Sequence, residues 1–102
     1  MGKRETMREF KEELKKDIEI EALYLFGSRA RGDFREDSDY DIAVVSEDFA
    51  DMSFPERQEI VLEKARKVTD KPVEILCYTP EEFEKGKEGF MPEIIEKEGI
   101  KS

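Results

Sequence analysis

The chain of 102 residues contains no histidine and no asparagine, a single cysteine and a single glutamine, Gln58. Without histidine there is no Cys–His nucleophile, and a zinc site is not expected with Cys77 as the one soft ligand. One cysteine cannot close an internal disulfide, which agrees with a reducing, cytoplasmic compartment. The N-terminus is charged and lacks the apolar segment of a secretory leader. No apolar run approaches the roughly 20 residues that span a bilayer. There is no internal repeat and no low-complexity linker. Few amides beside many Lys and Glu residues is a bias found in thermophilic chains, where surface ion pairs are favoured.

Charge is what the chain has most of. Charged residues make up 44% and hydrophobic ones 37%, so any core must be economical. The apolar residues are strongly patterned, which argues against disorder. At this length one domain, residues 1–102, is expected. The formal net charge is −9. Such a surface repels a phosphate backbone, so nonspecific nucleic-acid binding is not expected, whereas a basic protein partner would be attracted.

Helical periodicity predicts an amphipathic helix over Arg4–Lys16, with Met7, Phe10 and Leu14 on its apolar side and Glu12 and Lys16 as an i,i+4 pair. A strand follows within Ile18–Phe26, centred on Ala22–Phe26. Asp33–Asp37 reads as a polar loop, and Ser46–Met52 as another. Ser53-Phe54-Pro55-Glu56 announces a capped helix. Its apolar stripe is Phe54, Val61, Ala65 and Val68, with Ile60 and Leu62 beside it, and Asp70-Lys71-Pro72 ends it. Val73–Tyr78 reads as a strand, with Val73, Ile75 and Cys77 on one face and Glu74, Leu76 and Tyr78 on the other. Cys77 is expected to be a small buried hydrophobe. Thr79-Pro80-Glu81-Glu82 caps a short helix to about Lys85. Gly86 and Gly89 mark a loop, and Pro92–Glu98 forms a last helix ending at Gly99. Phe90, Met91, Ile94 and Ile95 either cover the core or form a patch for a partner. This alternation of helices and strands predicts an α/β layer fold.

The stretch with chemistry in it runs from Leu23 to Val45. An apolar strand ends in Gly27-Ser28, a basic loop follows, and a second strand carries Asp39 and Asp41. Gly27 permits a sharp turn, and Ser28 stands where a short helix could begin, its hydroxyl and free N–H groups suited to a phosphate. Arg29, Arg31 and Arg35 concentrate positive charge near Asp33, Glu36 and Asp37. Arginine forks suit phosphate as well as carboxylate, so both uses stay open for Arg29 and Arg31. Asp39 and Asp41 point to one side of a strand, their Cα atoms roughly 6–7 Å apart. Tyr40 points the other way with Ile42 and Val44, towards a core. Two neighbouring carboxylates repel unless a cation stands between them, and Mg²⁺ is the natural occupant. A phosphate turn facing a carboxylate pair describes a site for a metal-bound nucleoside triphosphate.

Gly27-Ser28-Arg29-Ala30-Arg31-Gly32 followed by Ser38-Asp39-Tyr40-Asp41 resembles the Gly-Ser…Asp-x-Asp pattern of the polymerase-β-like nucleotidyltransferases. The short length and the Gly-Ser-x-Ala-Arg-Gly form are similar to the minimal nucleotidyltransferases. The resemblance covers Leu23 to about Phe83. It implies a small mixed β-sheet with helices packed on it and the site at one open edge. It implies two Mg²⁺ ions held by three carboxylates, by position Asp39, Asp41 and Glu74. Glu74 stands where the family usually has aspartate, and its extra methylene gives longer reach with a less fixed position. Gly27 and Ser28 would cradle the β- and γ-phosphates, with Arg29 beside them. The implied reaction is AMP transfer from ATP to a hydroxyl, with pyrophosphate released. Nothing in the residues selects adenine, and at this length no second domain is expected that could clamp an acceptor, so the acceptor is expected to come from a partner protein or to bind shallowly. Minimal proteins of this kind resemble the antitoxins of HEPN-type ribonuclease toxins, which they silence by adenylylating a tyrosine. The alternative is a binding module that masks its partner by contact, with the site a relic. Transfer to a small molecule such as an antibiotic, or to an RNA end, is less favoured, given no acceptor domain and the negative charge.

Overall fold

The structure, a computed structural model, describes residues 3–27, 32, 39–86 and 91–101. Helix α1 (Lys3–Leu14) precedes strand β1 (Ala22–Phe26). Strand β2 (Tyr40–Val45) leads through a 3-10 turn (Glu47–Asp51) into helix α2 (Phe54–Val68). Strand β3 (Val73–Tyr78), helices α3 (Pro80–Lys85) and α4 (Met91–Glu98), and strand β4 (Ile100–Lys101) complete the order. The helix starts follow from their caps. Ser53 Oγ accepts the Glu56 N–H at 3.3 Å. At α3 the box is reciprocal: Thr79 Oγ1 accepts the Glu82 N–H at 3.1 Å, and the Glu82 carboxylate accepts the Thr79 N–H at 2.8 Å. Each side chain thus satisfies a backbone donor the helix itself leaves orphaned.

The four strands form one mixed sheet in the order β3-β2-β1-β4. β2 runs antiparallel to β1 and parallel to β3, and β4 runs antiparallel to β1. The sheet separates two apolar clusters. On one face Met7, Phe10 and Leu14 of α1 and Val61 and Ala65 of α2 close over Leu23, Leu25, Tyr40, Ile42, Val44, Ile75 and Cys77. On the other face Phe83 of α3 and Ile95 of α4 close over Tyr24, Ala43 and Val45. Among the described residues no helix is long and apolar enough to cross a membrane.

Several local expectations change in the folded chain. Ser46–Met52 is not an open loop: Ser46 caps the 3-10 turn by accepting the Asp48 N–H at 3.1 Å, and Phe49 is fully buried beneath it. Phe54 does not join the core stripe of α2. It is 68% exposed in the first turn, with its ring 5.2 Å from the Arg57 guanidinium. The buried side of α2 includes Arg57 and Lys64, whose aliphatic stems fill apolar space. The expected Glu12–Lys16 pair is replaced by Glu13–Lys16 at 2.7 Å, because α1 ends at Leu14 and Lys16 leaves the helical path. The first strand is confined to Ala22–Phe26, while Ile18 joins the core from outside it. Of the terminal apolar residues, Ile95 is buried, Met91 and Ile94 are exposed, and Phe90 lies outside the described residues. Strand β4 has no counterpart among the expected elements. Two residues carry no periodicity, and only their pairing with Tyr24 and Leu25 makes them a strand.

Arg57 ties four elements together. Its Nη1 donates to Glu82 Oε1 at 2.8 Å and its Nη2 to Glu82 Oε2 at 3.4 Å. Its Nε donates to the Met52 carbonyl, at the end of the 3-10 turn, at 3.3 Å, and its Nη1 also to the Cys77 carbonyl of β3 at 3.4 Å. Lys64 of α2 pairs with Asp17 at 2.6 Å, pinning the turn that follows α1 to α2. The hydrogen bond from Lys64 holds the Asp17 carboxyl below its usual range. Likewise the hydrogen bond from Arg57 holds the Glu82 carboxyl below its ordinary range against the opposing effect of burial. A depressed folded value stabilises fully above the unfolded pKa and is lost as pH falls through the folded one. Glu82→Gln should therefore lower the unfolding free energy at neutral pH by about 1–2 kcal/mol, the low part of the range for a charged hydrogen bond because Glu82 is partly exposed. Urea denaturation should show that deficit closing as pH falls below the ordinary glutamate pKa and on through the depressed folded one.

Candidate active site

The site is built where β1 ends and β2 and β3 begin. Register places Phe26 opposite Asp41, and Asp41 opposite Glu74, so these three side chains form one row across three strands. The next rows on the same face are Tyr24, Ala43 and Leu76, then Ala22, Val45 and Tyr78. Phe83 covers the apolar rows, stacked on Tyr24 at 5.4 Å and edge-on to Tyr78 at 5.6 Å. Helices α3 and α4 therefore roof the two rows that gain from burial. The acidic row lies beyond that roof, with Asp41 half-buried and Glu74 exposed. Covering it without partners would cost several kcal/mol per ionised group.

Asp39 and Asp41 are held by the residue between them. Tyr40 is buried on the opposite face, its ring edge-on to Phe10 at 5.9 Å. Its backbone N–H donates to the Pro72 carbonyl at 2.9 Å. Asp39 lies just before β2 and is exposed. Gly27 completes the geometry from β1. Its φ is +72°, a conformation that an L residue adopts only at a cost. A Cβ built there would overlap an Asp41 carboxylate oxygen and stand 3.0 Å from Asp41 Cγ. The bend after β1 and the acidic strand thus meet at one point, and only a glycine allows the approach.

Gly27, Asp41 and Glu74 are gathered at one end of the sheet, with Asp39 at the same end. Ser28 and Arg29 lie outside the described residues, as do Arg31 and Arg35 and the helix start expected at Ser28. Among the described residues no three His, Cys, Asp or Glu side chains are close enough together to hold a metal ion. Asp41 and Glu74 are neighbours by register, and Asp39 is not clasped to them. As donors the carboxylates are hard oxygens, the type that Mg²⁺ takes. Cys77 lies on the other face, and burial pushes its thiol up to about 12, which leaves it inert. Two contributors to the site went unforeseen. Phe26 shares the acidic row, and Pro72 anchors the strand between the aspartates. Phe26 stands next to Gly27 in the chain, but its place beside Asp41 follows from pairing register, for which no local signal exists.

The family model for the nucleotidyltransferase domain matches residues 7–102. A candidate nucleotidyltransferase from Sulfolobus solfataricus superposes with a TM-score of 0.67 at 24% identity, covering 95% of this chain and 76% of that one. Another candidate nucleotidyltransferase of known structure is 35% identical, with a TM-score of 0.56 over 79% of this chain and 86% of that one. BolA1 from Arabidopsis thaliana reaches a TM-score of 0.60 at 21% identity, covering 76% of this chain and 94% of its own. At that identity, as with the Sulfolobus protein, the likeness concerns the fold alone. No curated protein matches the chain. The chain belongs to the nucleotidyltransferase-domain family of the polymerase-β-like superfamily.

Proposed function

We propose that this protein is a Mg²⁺-dependent nucleotidyltransferase that moves AMP from ATP to a hydroxyl of a partner protein. The observation that supports this best is the contact of Gly27 with the Asp41 carboxylate, with Glu74 in the same row. It joins a bend suited to phosphates with carboxylates suited to the cation that accompanies them. Asp39, Asp41 and Glu74 would hold Mg²⁺, up to two ions, which when bound would polarise the phosphates and neutralise charge on the leaving group. Gly27, with Ser28 and Arg29, would hold the triphosphate. The acceptor oxygen bonds to the α-phosphorus, the bond from that phosphorus to the bridging oxygen breaks, and pyrophosphate leaves with the electron pair. The acceptor's proton passes to a carboxylate of the site.

The resemblance to minimal nucleotidyltransferases supports the partner class: a helical HEPN-type ribonuclease toxin, with this chain as its antitoxin in the cytoplasm. A net charge of −9 suits a basic partner. One observation favours a second reading, contact masking by a weak or inactive site: the carboxylates do not gather into a group of three among the described residues.

Calorimetry should detect ATP binding that requires Mg²⁺. In Asp39→Asn/Asp41→Asn it should weaken by roughly tenfold or more, the loss of at least one charge-assisted contact. Labelled ATP should mark a HEPN-type partner through the wild type and not through this double variant. Neutralisation of the partner that survives the double change would favour masking. Gly27→Ala should cost at least about 1–2 kcal/mol in urea denaturation, from the left-handed backbone alone. Because the new methyl displaces the Asp41 carboxylate, Mg²⁺–ATP binding should fall with it.

A further inference from the structure

Among the described residues strand β3 is a border of the sheet, paired with β2 on one side only. The Tyr40 N–H donates to Pro72 O and the Ser46 N–H to Tyr78 O, each at 2.9 Å. Backbone direction alternates along a strand, so the even-numbered carbonyls of this stretch turn towards β2, and those of Ile75 and Cys77 turn outward. A row of outward backbone groups is a template for another strand. Here two side chains of α2 reach those carbonyls. Gln58 Nε2 donates to Ile75 O at 2.8 Å, and Arg57 Nη1 to Cys77 O at 3.4 Å. Gln58 is the only amide side chain of the whole sequence. The proposed chemistry makes no use of it.

The strand itself invites pairing. Val73-Glu74-Ile75-Leu76-Cys77-Tyr78 has one charge, no proline and no glycine, the composition of segments that add strands. We propose that Gln58, assisted by Arg57, is an edge lock that keeps a second copy of this chain from pairing through β3. Two copies meeting there would join β3 to β3 antiparallel about a two-fold axis. The added strand would lie along the flank of the sheet that carries Glu74, on the side away from β2. The lock therefore keeps that flank clear for ligands, a consequence that rests on the reading of Glu74 above. The lock itself does not.

The test compares wild type, Gln58→Ala and Gln58→Lys by light scattering at about 0.1 mM, within the range where exposed edges associate. Lysine retains a donor for Ile75 O, so wild type and Gln58→Lys should have the mass of one copy. Gln58→Ala should double its mass, with slowed hydrogen exchange at the Ile75 and Cys77 amides. Gln58→Ala remaining at single mass would overturn the proposal. So would a wild type already doubled through β3, or a Gln58→Ala dimer in which those two amides gain no protection. Loss of ATP binding by the double aspartate variant bears on the active site alone and leaves these outcomes unchanged.

Discussion

Alternation along β2 is the constraint on which the rest depends. Tyr40, Ile42 and Val44 are buried beneath α1 and α2, while Asp41, Ala43 and Val45 face the other way. A slip of one residue against either neighbour would exchange the two sets. Each buried Ile, Val or aromatic side chain contributes about 1.5–3 kcal/mol, and an unpaired carboxylate forced into the core costs several. The penalty for a slip is thus of the same order as the marginal stability typical of a small domain, about 5–15 kcal/mol. Core packing and carboxylate placement are one decision, made by the same strand.

The second face shows how the open end of the sheet arises. Phe83 and Ile95 cover rows of apolar side chains and stop where the row turns acidic. The roof is short because α3 has six residues and α4 eight. Arg57 anchors the start of α3 through Glu82, so a buried cation of α2 indirectly holds the roof over the apolar rows. This layout by itself does not specify chemistry. BolA1 shares much of it, and folds host unrelated functions. To this layout the candidate site adds the glycine that lets β1 bend against Asp41, and the carboxylates beside it.

Much of this was legible in the residues. Met7, Phe10 and Leu14 mark a helix face by spacing alone. Ser53 and Thr79 mark helix starts by hydrogen-bonding chemistry that acts over three residues. Ala22–Phe26 and Val73–Tyr78 mark strands by composition between turn residues. The Gly27…Asp39-Tyr40-Asp41 pattern marked a candidate site, and the structure brings Gly27 and Asp41 into contact. Charged residues that the core absorbs were not legible. No local signal marks Arg57 and Lys64 as buried, yet both are, and their partners Glu82 and Asp17 come from elsewhere in the chain. Phe54 read as core and is exposed in the first turn of α2, with its ring beside the Arg57 guanidinium.

The sequence alone determined whatever acts between near neighbours: the helices with their caps, the alternation that sets Asp39 and Asp41 apart from Tyr40, and the need for glycine at a bend. Tertiary structure alone decided which residue stands opposite which. Asp41 lies between Phe26 and Glu74, Ile100 becomes a strand by meeting Leu25, and Gln58 finds the carbonyl of Ile75. Such pairings join segments far apart in the chain, and their register is chosen by the burial of the whole sheet, which no local stretch encodes.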